Sequence, residues 1–350
     1  MPLGKLAPAD FRRLVAPHLG AARPEVLVGP GPGVDSAVVK LGAGRVMAVT
    51  TDPISLIPAF GPADSARLSC HLLASDLWTT GIPPAFAAVT FNLPAAMTDD
   101  VFGVYWQAMS DEWRVLGVAV VSGHTGRCSG CDATIIGGCT LLGVGDEGRT
   151  IGPSFVMPGD RIIVTKGCAI EATAVAARLF PQRLAQRLDP ESLERARLPI
   201  EQVSVVADCR AALAVGVRDR GVSALHDATE GGVLGGLLEL AQSSGRDLRV
   251  ERARIPLSPE ARASCEVFGI DPYWTLSEGT LIATVRSPRA GAVMNALGEA
   301  GIPAADVGEV MAGSGALWLT DPDGTVTTLH EPEPDPYWEA YDRAVREGWK

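Results

Sequence analysis

The sequence predicts a mixed α/β (α+β) protein of two domains, on three observations. Stretches with strand-like alternation and stretches with helix-like periodicity take turns along the chain, with hairpins set among them. At 350 residues the chain is longer than one apolar core usually serves. The segment GDEGRTIGPSFVMPGD, rich in Gly and Pro and nearly free of periodicity, offers a seam. The expected organisation is therefore an N-terminal domain over 1–150, a C-terminal α/β domain over 151–330, and a tail over 331–350 read as a surface appendage with a short helix. With 39 Gly and 26 Pro against an apolar fraction of 47%, the composition points to many short elements and tight turns rather than disorder.

The first element is the stretch LVGPGPGVDSAVVKL. Its glycines lack the Lys-Ser/Thr of a phosphate loop, and they precede a strand rather than a helix. They read either as a flexible lip whose N–H groups cover phosphates or as a plain connector, and Pro30 and Pro32 have no N–H to give. DSAVVKL and VMAVTTD then flank GAGR as a hairpin, in which Asp35 begins one strand and Asp52 ends the other, so antiparallel pairing brings the two carboxylates together. ADSARLSCHLLASDLWTTG predicts a helix with Asp76 in its final turns and a stop at Gly81. AFAAVTFNL reads as a buried strand, and DDVFGVYWQAMSDEWRVLG as a helix that starts under two acids and stops at Gly117. VAVVSG is a strand running into a GHTG loop, and ATIIGGCTLLGVG another strand.

Beyond the seam come strand RIIVTK, helix EATAVAARLF and a long helix around VSVVADCRAALAVGVRDRG. In VSALHDATEGGVLGGLLELAQSSG a strand breaks into a helix at Thr229 and Glu230. Strand LIATV, helix PRAGAVMNALGEAG and hairpin GALWLTDPDGTVTTLH complete the second domain.

A net charge of −11 without a run of Lys or Arg argues against nucleic acid as a partner. No apolar run reaches the roughly 18 residues that a membrane span needs, and MPLGKLAPADFRRLVAPHLG lacks a basic segment followed by an apolar one, so a cytoplasmic protein is expected. Seven cysteines in a large chain argue against a secreted disulfide framework and for free thiols. The pair Cys128-x-x-Cys131, followed by Cys139, raises zinc or redox chemistry, but a zinc site needs a fourth ligand, and none is visible nearby.

Five loops compete for one site: GVDSAV, TTDP, ASDLW, GHTGR and HDATEGG. Asp35, Asp52, Asp76 and Asp227, placed at element ends rather than on solvated helix faces, suit a hard cation that bridges phosphate oxygens, which suggests Mg²⁺ with a nucleotide. Taken singly, each Asp is more commonly a turn or cap residue. Their number makes the case. Arg127, Lys166 and the helix start at Gly231 and Gly232 could supply positive charge and N–H donors to phosphates.

In this order, GVDSAVV, TTDP, ASDLWTTGIPPAFAAVTFNLP, VSGHTG, MPGDRIIVTKGCAIEATAVAA, HDATEGGVLGGLLELA and LSEGTLIATV resemble the PurM-like ATP-dependent superfamily. That superfamily contains aminoimidazole ribonucleotide (AIR) synthase, thiamine-monophosphate kinase, selenophosphate synthetase and the hydrogenase-maturation protein HypE. The resemblance spans roughly residues 25 to 320, and DATEGGV and LSEGTL look most like the HypE-like, AIR synthase-related group. It implies N-terminal strands that form a β-barrel with those of a second subunit, hence a homodimer, and a C-terminal α/β domain, with ATP in the cleft between domains. It implies Mg²⁺ held by Asp35, Asp52 and Asp76. Nucleotide contacts are then expected from Gly31, Gly33, Thr51, Thr125, Lys166, Thr229 and Gly231, with His124, Arg127 and Asp227 as the catalytic candidates.

There are departures. Val34-Asp35 stands where relatives carry paired acids, and His124 stands where they carry Asp. Neutral imidazole suits Mg²⁺ poorly, so His124 is read as a donor to phosphate, an acid/base group or a structural residue. The chain ends DRAVREGWK, without the terminal cysteine on which HypE acts. The leading expectation is an ATP-using enzyme that phosphorylates a carbonyl, amide or thioamide oxygen of a small acceptor for dehydration, cyclisation or group transfer. A small-molecule kinase and a non-catalytic nucleotide-binding dimer are the alternatives.

Overall fold

A computed structural model describes residues 4–131, 134–197 and 200–350. The chain divides into two compact units, one made of Arg23–Gly29 and Asp35–Thr150, the other of the residues up to Ala22, Pro30–Val34 and Ile151–Lys350. A short opening helix, α1 (Pro8–Leu14), belongs to the second of these.

The first unit is a six-stranded sheet under two helices. In chain order it contains β1 (Val26–Val28), β2 (Ala37–Gly42), β3 (Arg45–Ser55), α2 (Gly61–Trp78), β4 (Phe86–Pro94), α3 (Asp99–Leu116), β5 (Ala119–Cys128) and β6 (Ile135–Asp146). The strands lie in the order β1-β2-β3-β6-β4-β5. Pairing is antiparallel except between β4 and β5. The hairpin read from the sequence is β2–β3, with Ala37 opposite Val49 and a turn in which Ala43 and Gly44 both take positive φ, as a tight hairpin requires. Helix α3 begins where the Thr98 hydroxyl accepts from the Val101 N–H at 3.3 Å, and it ends at Gly117 with φ +77°.

Three expectations for this unit need correction. Asp52 does not end its strand, because β6 keeps pairing with β3 past it, as far as Ser55 opposite Ile135. GHTG is not a loop; it runs on within β5, with His124 opposite Thr90 of β4. β4 is buried on one face only, where Ala87, Val89, Phe91 and Leu93 lie under the helices, while Phe86, Thr90 and Asn92 stay exposed. Phe91 meets Phe102, Tyr105 and Trp106 of α3 edge-on at 5.1, 6.0 and 5.8 Å. Ala133, the first residue of the strand expected at ATIIGGCTLLGVG, lies outside the described residues. On the edge strand β5, Val120 and Val121 are 41% and 59% exposed.

The second unit continues with β7 (Arg161–Thr165), α4 (Ile170–Leu179), α5 (Pro181–Leu184), α6 (Pro190–Ala196), α7 (Val206–Ala214), β8 (Val222–Ala228) and α8 (Gly232–Ser244). It ends with β9 (Asp247–Glu251), α9 (Pro259–Phe268), β10 (Thr280–Val285), α10 (Ala290–Glu299), β11 (Ala304–Met311), β12 (Leu317–Thr320), β13 (Val326–Leu329) and α11 (Tyr337–Arg346). Its seven strands run in the order β13-β12-β9-β11-β7-β10-β8. Helix α8 lays Val233, Leu234, Leu237 and Leu240 into a core with Ile162, Val164, Leu248 and Ile282 of the sheet.

The long helix expected around VSVVADCRAALAVGVRDRG is only the nine residues of α7. It stops because Gly216 takes φ +138° against the Arg220 carbonyl, which a Cβ there would approach to 2.5 Å. The tail is helical as expected, but it is no surface appendage. α11 buries Tyr337, Ala340 and Ala344, and Phe180 touches Phe268, Tyr341 and Trp349 with ring centroids 5.9 to 6.2 Å apart. The Arg343 guanidinium donates to the Phe268 carbonyl at 2.6 Å, and Arg183 lies 4.4 Å over the Trp349 ring. Among the described residues no helix is long and apolar enough to cross a membrane, and every cysteine is free.

Candidate functional site

In the first unit, alternation along β3 turns Val46, Ala48, Thr50, Asp52 and Ile54 toward the helix-covered face. Thr50 ties two of the predicted aspartates together. Its hydroxyl lies 2.9 Å from Asp76 Oδ2 and 3.1 Å from the Asp35 carbonyl, a forked donor between the last turn of α2 and the entry to β2. The Asp76 carbonyl in turn accepts from the hydroxyls of Ser36 at 3.0 Å and Thr79 at 2.6 Å. Those donors satisfy the helix end but leave the Asp76 carboxylate beside the negative end of the α2 dipole, an unfavourable place for an anion and a favourable one for its cation.

Asp52 lies two residues along the same face of β3 from Thr50, opposite Cys139 of β6. Burial, with the charge of Asp52 adding to it, pushes the Cys139 thiol up to about 12. Thr50 thus ties the Asp35 backbone to the Asp76 carboxylate, with Asp52 on the same strand face; carboxylates are the ligand type that suits Mg²⁺, but among the described residues the oxygens of Asp35, Asp52 and Asp76 do not form one cluster within 4.8 Å of one another. Thr50 is the residue that sequence reasoning missed. Its signal was its position two before Asp52, which places both on one strand face.

The other first-unit candidates lie elsewhere. Thr51 points to the opposite face of β3, where its hydroxyl donates to the Cys139 carbonyl at 3.1 Å and accepts from Thr140 at 3.2 Å. His124 and Thr125 are exposed on the edge strand β5. Arg127 is engaged at the start of α3, 2.5 Å from Asp99 Oδ1 and 3.4 Å from the Met97 carbonyl.

In the second unit, Gly31-Pro32-Gly33-Val34 closes a turn through the Val34 N–H and the Gly31 carbonyl at 3.2 Å. Gly33 has φ +72°, and a Cβ on it would fall 2.9 Å from the Glu239 Cβ of α8. The connector reading of these glycines therefore has a packing reason. Asp227, with 1% exposure, sits in β8 opposite Leu281, and neighbouring His226 meets Glu239 Oε2 at 3.0 Å through Nε2.

The sequence leads one to expect Lys166 as a phosphate donor. It is instead turned inward, with its ammonium 2.8 Å from the Ser204 carbonyl and 2.9 Å from Asp208 Oδ2. Burial lowers its pKa against the opposing pull of Asp208.

The loop between β8 and α8 is occupied from both ends of the chain. The Gly231 N–H, expected to meet a phosphate, donates to Asp335 Oδ2 at 2.8 Å. Thr229 Oγ1 accepts from Lys5 Nζ at 2.8 Å, and Glu230 Oε2 from the Lys5 backbone N–H at 2.6 Å. Beside them Glu171 Oε2 is buried without a hydrogen-bond partner. Burial, joined by the charges of Glu230 and Asp335 and offset in part by Lys5, pushes its carboxyl up to about 8.

Residues 33–144 match the AIR synthase related protein N-terminal domain, and residues 157–318 match its C-terminal domain. Carbamoyl dehydratase HypE of Cupriavidus necator is 27% identical over 271 residues, covering 76% of this chain and 72% of that protein. A HypE solved in complex with ATP is 21% identical with a TM-score of 0.62, covering 93% of each chain. ThiL complexed with AMPPCP and TMP is 18% identical with a TM-score of 0.70, covering 96% of this chain and 97% of that one. The two structural likenesses bear out the PurM-like fold expected from the sequence. With both of its family domains present in order across most of its length, the chain belongs to the AIR synthase related protein family.

Proposed function

We propose that the protein is an ATP- and Mg²⁺-dependent enzyme that phosphorylates a carbonyl, amide or thioamide oxygen of a small acceptor, so that phosphate becomes the leaving group for dehydration, cyclisation or group transfer. The observation that carries this reading is the Thr50 hydroxyl, which holds the Asp76 carboxylate at the end of α2 and the Asp35 backbone at the entry to β2, with Asp52 two residues along the same face of β3. Phosphoryl transfer asks a protein mainly to position its reactants and to neutralise charge. Relatives support the reading: one is named carbamoyl dehydratase, and structural neighbours were solved with ATP and with AMPPCP.

Asp35, Asp52 and Asp76 would hold the Mg²⁺, which when bound neutralises phosphate oxygens. Thr50 orients one oxygen of Asp76. The contacts of Arg127 with Asp99 and of Lys166 with Asp208 make both structural cations in this reading.

Replacing Asp76 by Asn is expected to weaken Mg-ATP about 5- to 150-fold, roughly 1–3 kcal/mol, in calorimetric titration, with folding stability held or raised because a carboxylate at a helix C-terminus has gone. The activity itself is tested by screening carbonyl and amide acceptors for ADP release and examining products by phosphorus NMR. A stable phosphate ester would move the protein to the kinase class. Intact Mg-ATP binding in Asp76→Asn, accompanied by lower stability, would make Asp76 a structural cap and remove the metal site.

A homodimer is part of the same proposal. The exposed valines of β5 and the exposed side chains of Phe86 and Ile135 favour closure against a second copy. Light scattering is expected to report about twice the 36.5 kDa chain mass at micromolar concentration; the single-chain mass throughout that range would refute the dimer.

A further inference from the structure

The C-x-x-C pair between β5 and β6 takes no part in the functions argued above. Cys128 is the exposed last residue of the edge strand, and Cys131 is half-buried. Ser129 and Gly130 form a turn between them, with Gly130 at φ +79°, a conformation that suits glycine. A four-residue turn keeps its end Cα atoms within about 7 Å, the span a disulfide can bridge. The Cys128 thiol is close enough to Cys131 to act on its titration.

The pair is asymmetric in the way that thiol exchange needs. Desolvation first, and then the charge and hydrogen bond of Cys128, hold the Cys131 thiol above its ordinary range, so Cys131 keeps its proton while the exposed Cys128 is the sulfur that a reagent meets. The other five cysteines, at 70, 139, 168, 209 and 265, are all buried. Burial pushes the thiols of Cys139 and Cys265 up to about 12 and raises those of Cys70 and Cys168 as well, so these four are poor nucleophiles. Among the described residues the only cluster of three or more His, Cys, Asp or Glu ligand atoms lies elsewhere, so no third ligand joins this pair.

We propose that Cys128 and Cys131 form a reversible dithiol–disulfide pair that exchanges with small-molecule disulfides. Cys128 releases its proton to water and attacks one sulfur of the reagent disulfide, whose S–S bond breaks; the departing thiolate takes up a proton. Cys131 then gives up its proton and attacks the Cys128 sulfur, which forms the internal S–S bond and expels the second thiolate, also to be protonated. Two protein thiols lose two electrons and two protons, and the reagent gains both as two thiols. The product ties the end of β5 to the segment that leads into β6, making a covalent link on the edge strand.

The test uses the full chain, reduced, treated with chelator and then incubated without denaturant in buffers of graded oxidised-to-reduced glutathione ratio. Free thiols are blocked in acid before mass spectrometry. Wild type is expected to lose the mass of two hydrogens, to keep five of its seven thiols, and to yield one internally linked peptide containing Cys128 and Cys131. The oxidised fraction should follow the glutathione ratio and reverse when that ratio is reversed. Cys131→Ser is expected to accumulate one glutathione on Cys128, because the second attack is gone, and Cys128→Ser to form adducts far more slowly. The proposal is overturned if all seven thiols survive at the most oxidising ratio, if the link joins two chains, or if zinc remains bound in stoichiometric amount after chelation. It does not depend on the ATP-dependent activity, so failure of either leaves the other standing.

Discussion

Replacing Lys166 by Met is expected to lower the free energy of unfolding by about 3–5 kcal/mol while leaving Mg-ATP affinity within a few-fold of wild type. Asp208 is 1% exposed, and its carboxylate is held by the Lys166 ammonium on one oxygen and by the Thr165 hydroxyl, at 2.6 Å, on the other. Removing the cation leaves a buried anion with one neutral donor, which costs more than the pair as a whole contributes. The double variant Lys166→Met with Asp208→Leu is expected to recover most of the loss, since no charge is then buried. Urea denaturation of the two variants measures this. A stable Lys166→Met protein that has lost Mg-ATP binding would return the lysine to the phosphates.

Glu171→Gln is expected to act in the opposite direction. Its carboxyl lies at about 8 in the folded protein against an ordinary 4.5. Between these values the folded chain holds a proton that the unfolded chain has released, so stability falls as pH rises. The contribution is fully present below about 4.5 and is lost as pH rises through about 8. An amide carries no such ionisation, so the variant should gain on the order of 2–4 kcal/mol at pH 8 and nothing at pH 4. Equal pH slopes for the two proteins in urea melts over that range would show that Glu171 is solvated after all.

What the sequence made legible was local. The hairpin β2–β3 follows from a turn and alternation within a few residues, and α3 from its Thr98 cap and Gly117 stop. Strand β9 was passed over because Asp247, Arg249 and Glu251 make its stretch look like a solvated loop, although Leu248 and Val250 alternate with them. In the candidate site, Asp35, Asp52 and Asp76 stood out by residue type and by their position near element ends. The Thr50 bridge did not, because it depends on α2 packing against β3. Arg127 and Lys166 looked like phosphate donors for a similar reason: their acidic partners, Asp99 and Asp208, lie 28 and 42 positions away and are invisible to a local reading.

The meeting of Lys5 and Asp335 on the loop after β8 bears on how the chain folds as it is made. Lys5 is 225 positions from Glu230, and Gly231 is 104 from Asp335. At a synthesis rate of roughly 5–20 residues per second, the opening segment waits on the order of 10 to 45 seconds for its first partner, and the loop waits again for the tail. Contacts of such long sequence separation form late and slowly. The second unit therefore completes its fold only after the ribosome has delivered nearly the whole chain. Until then its opening segment is open to chaperones and proteases, while the first unit, with all its strands made by Asp146, has already had time to close.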